Sequence, residues 1–364
     1  MRPFSRKLTA IDLFCGSGGL TVGLKEAGFN VVLGLEISPE ISKIYAANHP
    51  EVKIITRDIR NVNGKEILEL TGLKNIDLIA GCPPCQGFTS LTYKYRREDP
   101  RNQLILEMAR IIEEIKPKMV MMENVPGITK RGKPLLDMFV NNLNSLGYIC
   151  NMEILQMADF GVPQNRKRFV LLAGNNFRIE MPDITHCQNG NNKNNLKPWL
   201  NVSDVLIRKK KPLTISVAKS KGGPQRYNWH VVRDLKEISI RRLDSLKEGD
   251  SRASLPLNLR PKCHLNSNRG FVNVYGRLRW DQIPPTMTSG FCSPCRGRFS
   301  HPEESRTISV REAANIQTFP NRYIFDTNSI DLVCEVIGNA LPCLFAKQAA
   351  IACLNSYKIH GGLN

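Results

Sequence analysis

TAIDLFCGSGG (residues 9–19) is the stretch whose reading decides the fold. TAIDLF is a short apolar run suited to a buried strand, and the glycines after it let the backbone turn tightly before the amphipathic stretch from Leu20 to Gly28. A strand entering a helix through a glycine turn begins a βαβ unit. The alternation continues outward. NVVLGLE (30–36) reads as a second strand closing on an acid, residues 38–48 look helical, and VKIITRD (52–58) and IDLIAG (76–81) are strand-like. NQLILEMARIIEEIK (102–116) has helical spacing, KMVMMENV (118–125) is a strand, PLLDMFVNNLNSLG (134–147) a helix, and FVLLAG (169–174) one more buried strand. The pattern predicts an α/β fold, Rossmann-like and doubly wound on a mainly parallel sheet, with ligands at the carboxyl ends of its strands.

With 364 residues the chain can build one large domain and a smaller one without disulfides. No apolar run approaches the roughly 20 residues of a membrane span. The basic start, MRPFSRKLTAIDLFCGSGG, is interrupted by Asp12 and glycines before a signal-type apolar region forms, so a cytoplasmic protein without a membrane partner is expected. Eleven scattered cysteines, several in apolar segments (Cys150, Cys334, Cys353), do not make a secreted framework. The formal charge is +18, and residues 176–310 carry 24 Lys and Arg against 11 Asp and Glu. That concentration suits a polyanion, because each phosphate neutralised releases counterions. The texture changes in the same region, where QNGNNKNNLK (188–197) is unlikely to pack and IRKKKPL (207–213) is a basic run. Residues 1–175 and 311–364 are therefore expected to form the main domain, and 176–310 a smaller basic one. Helical patterns return at SVREAANIQTFP (309–320) and IGNALPCLFAKQAAIACLN (337–355).

Four constellations fall at the predicted ligand edge. Phe14, Gly16, Gly18 and Gly19 follow the first strand, Glu36 closes the second, and Asp58 and Ile59 close the third. Glycines allow close backbone approach, and an acid after the second strand can accept from ribose hydroxyls. The spacing is not GxGxxG, so a single nucleoside fits better than a dinucleotide. GCPPCQGFTS (81–90) places thiols after the fourth strand on a rigid Pro83-Pro84 turn, where Cys85 could act as a nucleophile. Cys82 with Cys85, and Cys292 with Cys295, form CxxC pairs open to redox or zinc readings, though neither has a supporting flank. Glu123 ends the next strand. Arg166 and Arg168 in QNRKR (164–168) precede FVLLAG at alternate positions and are expected to point the same way.

DLFCGSGG, GCPPCQGFTS, ENV, QNRKR, REAANIQTFP and IGNALP, in this order, resemble the C5-cytosine DNA methyltransferases over about residues 8–355. The resemblance implies a class I S-adenosyl-L-methionine-dependent methyltransferase domain with a smaller target-recognition domain, acting on double-stranded DNA. Carried over, Phe14, Gly16, Gly18, Gly19, Glu36, Asp58, Ile59, Pro84, Leu104 and Asn339 line the cofactor site. Cys85 is the nucleophile at carbon 6 of cytosine, Glu123 the acid at N3, and Arg166 with Arg168 hold the flipped base. Residues 86–103, with Tyr93, Lys94, Arg96, Arg97 and Arg101, are a candidate lid. Thr89 stands where the family usually has Ser, and Cys343 where a second Pro is common. No metal is implied. A monomer serving a restriction-modification system is expected, with a possible cognate endonuclease acting on the same DNA sequence without direct contact. The alternatives are an RNA cytosine-5 methyltransferase of the same fold and a non-catalytic DNA-binding regulator.

Overall fold

The computed structural model describes residues 6–84, 99–208, 210–262 and 272–360. Seven strands form one sheet: β1 Thr9–Leu13, β2 Asn30–Glu36, β3 Lys53–Thr56, β4 Leu78–Gly81, β5 Met119–Asn124, β6 Tyr148–Gln156 and β7 Lys167–Asn175. Their order is β3-β2-β1-β4-β5-β7-β6. Neighbours from β3 to β5 are parallel, whereas β7 is antiparallel to both β5 and β6. This reversal matters for the site. The carboxyl ends of β1, β2, β4 and β5 share one edge, and an antiparallel β7 brings its beginning there, with Phe169 opposite Asn124.

β6 is the element the sequence did not suggest. Only Tyr148 and Asn151 are buried in YICNMEILQ, because an outermost strand has a neighbour on one side only, so its apolar pattern is broken. The central strands read clearly because both faces are covered: every residue of β1, β4 and β5 is buried. Ile105, Met108, Ile111, Ile112 and Ile115 recur at helical spacing in the helix Leu104–Ile115 and join the sheet's apolar core. That helix stops at Lys116, in the left-handed conformation just before Pro117.

The chain divides into two compact units. The first contains Met1–Phe160, Lys167–Thr185 and Leu341–Asn364, and the second Gly161–Arg166 and His186–Ala340. The expected return to the main domain at residue 311 thus comes at Leu341, and the expected boundary at 176 is crossed at His186. The reason is polar burial. The buried Arg311 donates to the carbonyls of Asn228 and Tyr323, each at 2.9 Å, and the buried Trp229 donates from Nε1 to the Phe325 carbonyl at 2.9 Å. Those bonds tie residues 311–325 to the basic segment. The second unit also has a small three-stranded sheet, in which Asn189–Asn191 pairs antiparallel with Leu196–Pro198. The Asn-rich run therefore takes ordered backbone, although its side chains stay largely at the surface.

The stretch Ile330–His360 has the length and apolarity of a membrane crossing, but 61% of its most apolar window is buried. It is two helices, Ile330–Asn339 and Cys343–His360, split at Pro342. The second packs on the helix Gly19–Ala27 so closely that a Cβ on Gly23 would lie 2.4 Å from that of Ala346.

Candidate active site

Three alternate residues just after β1 take left-handed conformations. Phe14, Gly16 and Gly18 have φ of 61°, 52° and 96°, a left-handed path that glycine tolerates and Phe14 adopts at some cost. The turn delivers Gly19 as the first residue of its helix, whose N-terminus carries no side-chain cap. Glu36 ties the neighbouring loop to it: Oε2 accepts the Gly16 N–H at 3.1 Å and Oε1 the Ser38 N–H at 2.9 Å. Beneath the turn, Asp12 is fully buried and accepts from Thr21 Oγ1 at 2.7 Å, while its Oδ1 has no hydrogen-bond partner. Burial pushes the Asp12 carboxyl up to about 7 against the Thr21 hydrogen bonds.

After β3, Asp58 caps a short turn, and its carboxylate is paired with Arg60, whose Nε lies 3.0 Å from Oδ1. The Arg60 side chain and backbone N–H hold Asp58 below the usual carboxylate range. Ile59 is buried beside it, and Leu104 packs on the core from the start of its helix.

At the other half of the edge, Glu123 on β5 and Arg168 on β7 form an ion pair, Nε to Oε1 at 2.7 Å, with side chains 9% and 14% exposed. Asn124, the next residue, donates from Nδ2 to the Pro83 carbonyl at 3.3 Å, and its Oδ1 accepts the Val125 N–H at 2.8 Å. The turn leaving β4 is thereby tethered beside Glu123, with Pro84 half-buried. Cys85, Thr89 and the candidate lid residues Tyr93, Lys94, Arg96 and Arg97 lie outside the described residues. Arg101 is paired with Asp99 at 2.7 Å.

The sequence matches the C-5 cytosine-specific DNA methylases over residues 8–355. The chain belongs to that family. Type II methylase M.HgiDII of Herpetosiphon aurantiacus is 34% identical over 93% of each chain. Type II methyltransferase M1.BsuMI of Bacillus subtilis is 31% identical over 93% of this chain and 78% of its own. Among solved structures, the Dnmt2 methyltransferase of S. pombe has a TM-score of 0.65 at 17% identity, covering 97% of this chain and 99% of that one, which bears on the fold alone. The methylase is a DNA cytosine-5 methyltransferase, and the family and fold imply S-adenosylmethionine dependence. DNA is preferred as substrate over the RNA alternative, and catalysis over a purely regulatory role.

Arg166 and Arg168, expected to point the same way, have different partners. Arg168 reaches Glu123 in the first unit, whereas Arg166 is 2% exposed in the second and donates to the carbonyls of Met287, Gly338 and Ala340. β7 begins at Lys167, so the strand alternation that would align the two starts one residue too late. Asn339 also belongs to the second unit, exposed at the end of its helix.

The second CxxC is likewise pulled apart. Cys292 is hydrogen-bonded with Cys334 and accepts from Arg233 Nη2 at 3.4 Å, while Cys295 donates to the Tyr275 hydroxyl at 3.0 Å. Among the described residues, no group of three or more His, Cys, Asp or Glu could hold a metal. The sequence reading gave no role to Asn124, Gln164 or Gln317, although each lies in a quoted motif. Glutamine and asparagine have no periodicity or charge signal, so their burial was the missing information.

Proposed function

We propose that this methylase transfers the methyl group of S-adenosyl-L-methionine to carbon 5 of a cytosine flipped out of double-stranded DNA. The observation that carries this reading is the Glu123–Arg168 pair held beside the tethered Pro83 turn. The cofactor supplies an electrophilic methyl group on sulfur. Two features of the first unit suit it: the helix N-terminus without a side-chain cap after the glycine turn, and the buried Asp12 Oδ1 with no partner. Phe14, Gly16, Gly18, Gly19, Glu36, Asp58, Ile59, Pro84, Leu104 and Asn339 are the proposed cofactor residues.

Carbon 5 of cytosine is a weak nucleophile. The Cys85 thiolate adds to carbon 6, making carbon 5 enamine-like, while Glu123 holds a proton at N3 and stabilises the charge that develops there. Arg168, already paired with Glu123, orients that carboxyl and offers donors to the base. Once carbon 5 is methylated, its hydrogen leaves as a proton to a base, and the electron pair of that bond expels the Cys85 thiolate. Flipping costs roughly a few kcal/mol of unstacking, offset by pocket and backbone contacts.

The basic second unit is the proposed target-recognition domain, phosphate contacts giving affinity and a few side chains giving sequence preference. The Type II names of the relatives support a modification enzyme of a restriction-modification system; a monomer in the bacterial cytoplasm, with a cognate endonuclease acting on the same DNA sequence, completes the proposal. The test is covalent trapping on DNA containing 5-fluorocytosine, because fluorine does not leave carbon 5 as a cation. With S-adenosyl-L-methionine, the protein forms a complex that survives denaturing electrophoresis. Cys85→Ser forms none and Cys82→Ser still does. Trapping by Cys85→Ser, or loss of trapping in Cys82→Ser alone, sinks the assignment.

A further inference from the structure

Arg166 belongs to a buried polar cluster that lies wholly in the second unit. Its Nη1 donates to the Met287 carbonyl at 2.8 Å and to Gln164 Oε1 at 3.3 Å, and its Nη2 to the carbonyls of Gly338 and Ala340, each at 3.3 Å. Gln164 and Gln317 are both 0% exposed. Gln164 Oε1 also accepts the Met287 N–H at 2.7 Å, and its Nε2 donates to Gln317 Oε1 at 2.8 Å. Gln317 in turn donates from Nε2 to the carbonyls of Ile337 at 2.5 Å and Ala340 at 3.1 Å.

The Ile337, Gly338 and Ala340 carbonyls lie at the C-terminal end of the helix Ile330–Asn339. A helix leaves its last carbonyls without intrahelical partners, and a glycine beyond the end often supplies the N–H groups that meet them. Here the capping residue is Ala340, with φ −61° and ψ 143°, and side chains from Arg166 and Gln317 do the capping. A guanidinium at a helix C-terminus is also favoured by the helix dipole. Gly338 fixes the approach from the other side, since a Cβ there would lie 2.3 Å from the Ser289 nitrogen. The carbonyls on both sides of Asn339 are thus pinned, while the Asn339 side chain is exposed.

We infer that Arg166, Gln164 and Gln317 are positioning residues, which hold the helix end so that the Asn339 amide is presented to the cofactor. The inference rests on the reading of Asn339 as a cofactor residue. It moves Arg166 from the flipped base to the binding of the methyl donor.

The experiment titrates S-adenosyl-L-homocysteine into the full chain without DNA, where a base-holding arginine has nothing to hold. Asn339→Ala is expected to weaken binding about tenfold, the loss of roughly one good hydrogen bond. Gln317→Leu, similar in size but without the donors, is expected to do the same. Arg166→Lys keeps the buried charge but lacks the forked donors, and it tests the cluster even if the leucine variant does not fold. The double variants Gln317→Leu/Asn339→Ala and Arg166→Lys/Asn339→Ala should bind no more weakly than Asn339→Ala alone, because an absent amide cannot be mispositioned. Losses that multiply in the double variants overturn positioning and leave the cofactor reading standing. Unchanged affinity in Arg166→Lys and Gln317→Leu, or in Asn339→Ala, overturns it as well. If the unaltered protein binds no S-adenosyl-L-homocysteine, the methyltransferase reading itself fails.

Discussion

Replacing Asp12 with Asn should remove a pH dependence that is built into the first unit. Asp12 is fully buried, and burial, with a smaller repulsion from Glu36, raises its carboxyl from 3.8 to about 7 despite the hydrogen bonds from Thr21. Between those two values the folded protein keeps the Asp12 proton while the unfolded chain has released it. The folded state then binds more protons, so stability is lost as pH rises through this window. One pKa unit corresponds to about 1.4 kcal/mol, which puts the full loss at about 4 kcal/mol in order of magnitude. Asn has no proton to lose and can still accept from Thr21. Urea denaturation of the cofactor-free protein and of Asp12→Asn, at intervals from pH 4 to pH 8, should give stabilities whose difference widens in the variant's favour up to about pH 7 and is then constant. Any packing change from the amide adds an offset that does not vary with pH, so the slope is the readout. Parallel curves would refute a buried, proton-holding Asp12.

At the opposite end of the strands, Asp77 accepts the Thr9 N–H at 2.8 Å and pairs with Lys118 at 2.9 Å. Burial opposes its charge, but the Thr9 and Lys118 bonds outweigh it and hold the carboxyl below its ordinary value. Asp77→Asn should cost about 2 kcal/mol at pH 7, less than a fully buried pair because Lys118 is 47% exposed. The cost should fade as pH falls through the carboxyl's own titration, and a cost that persists at pH 2 in urea unfolding contradicts the assignment. The hydrogen bonds from Cys334 and Arg233 hold the Cys292 thiol below its ordinary value. Thiolate absorbance should show a cysteine ionising below the ordinary thiol range, absent in Cys292→Ser and moved upward in Arg233→Ala; an unchanged midpoint in Arg233→Ala counts against the contact.

What was legible in the sequence follows from where each residue sits. TAIDLF, IDLIAG and KMVMMENV became central strands because burial on both faces demands unbroken apolar runs, and β6 was missed because an edge strand needs none. Glu36, Glu123 and Arg168 could be placed at one edge because strand ends are visible in sequence. The roles of Arg166, Gln164 and Gln317 could not. Most of their partners are backbone N–H and carbonyl groups up to 174 positions away, and every residue has a carbonyl, so no residue type announces the bond. The same blindness put the domain boundary at 311, since Arg311 and Trp229 are held by backbone rather than by a recognisable side-chain motif.

The pairing of the helices Gly19–Ala27 and Cys343–His360 also sets an order of events during synthesis. The glycine turn rests on a helix whose partner is translated only after the entire second unit has emerged. At about 5–20 residues per second, the intervening chain takes roughly a quarter of a minute to a minute. Through that interval the helix Gly19–Ala27 waits with its Ala346-facing side open to water. A nascent chain halted just after Ala340 would carry the whole sequence of the second unit while the first still lacked the helix that covers Gly23.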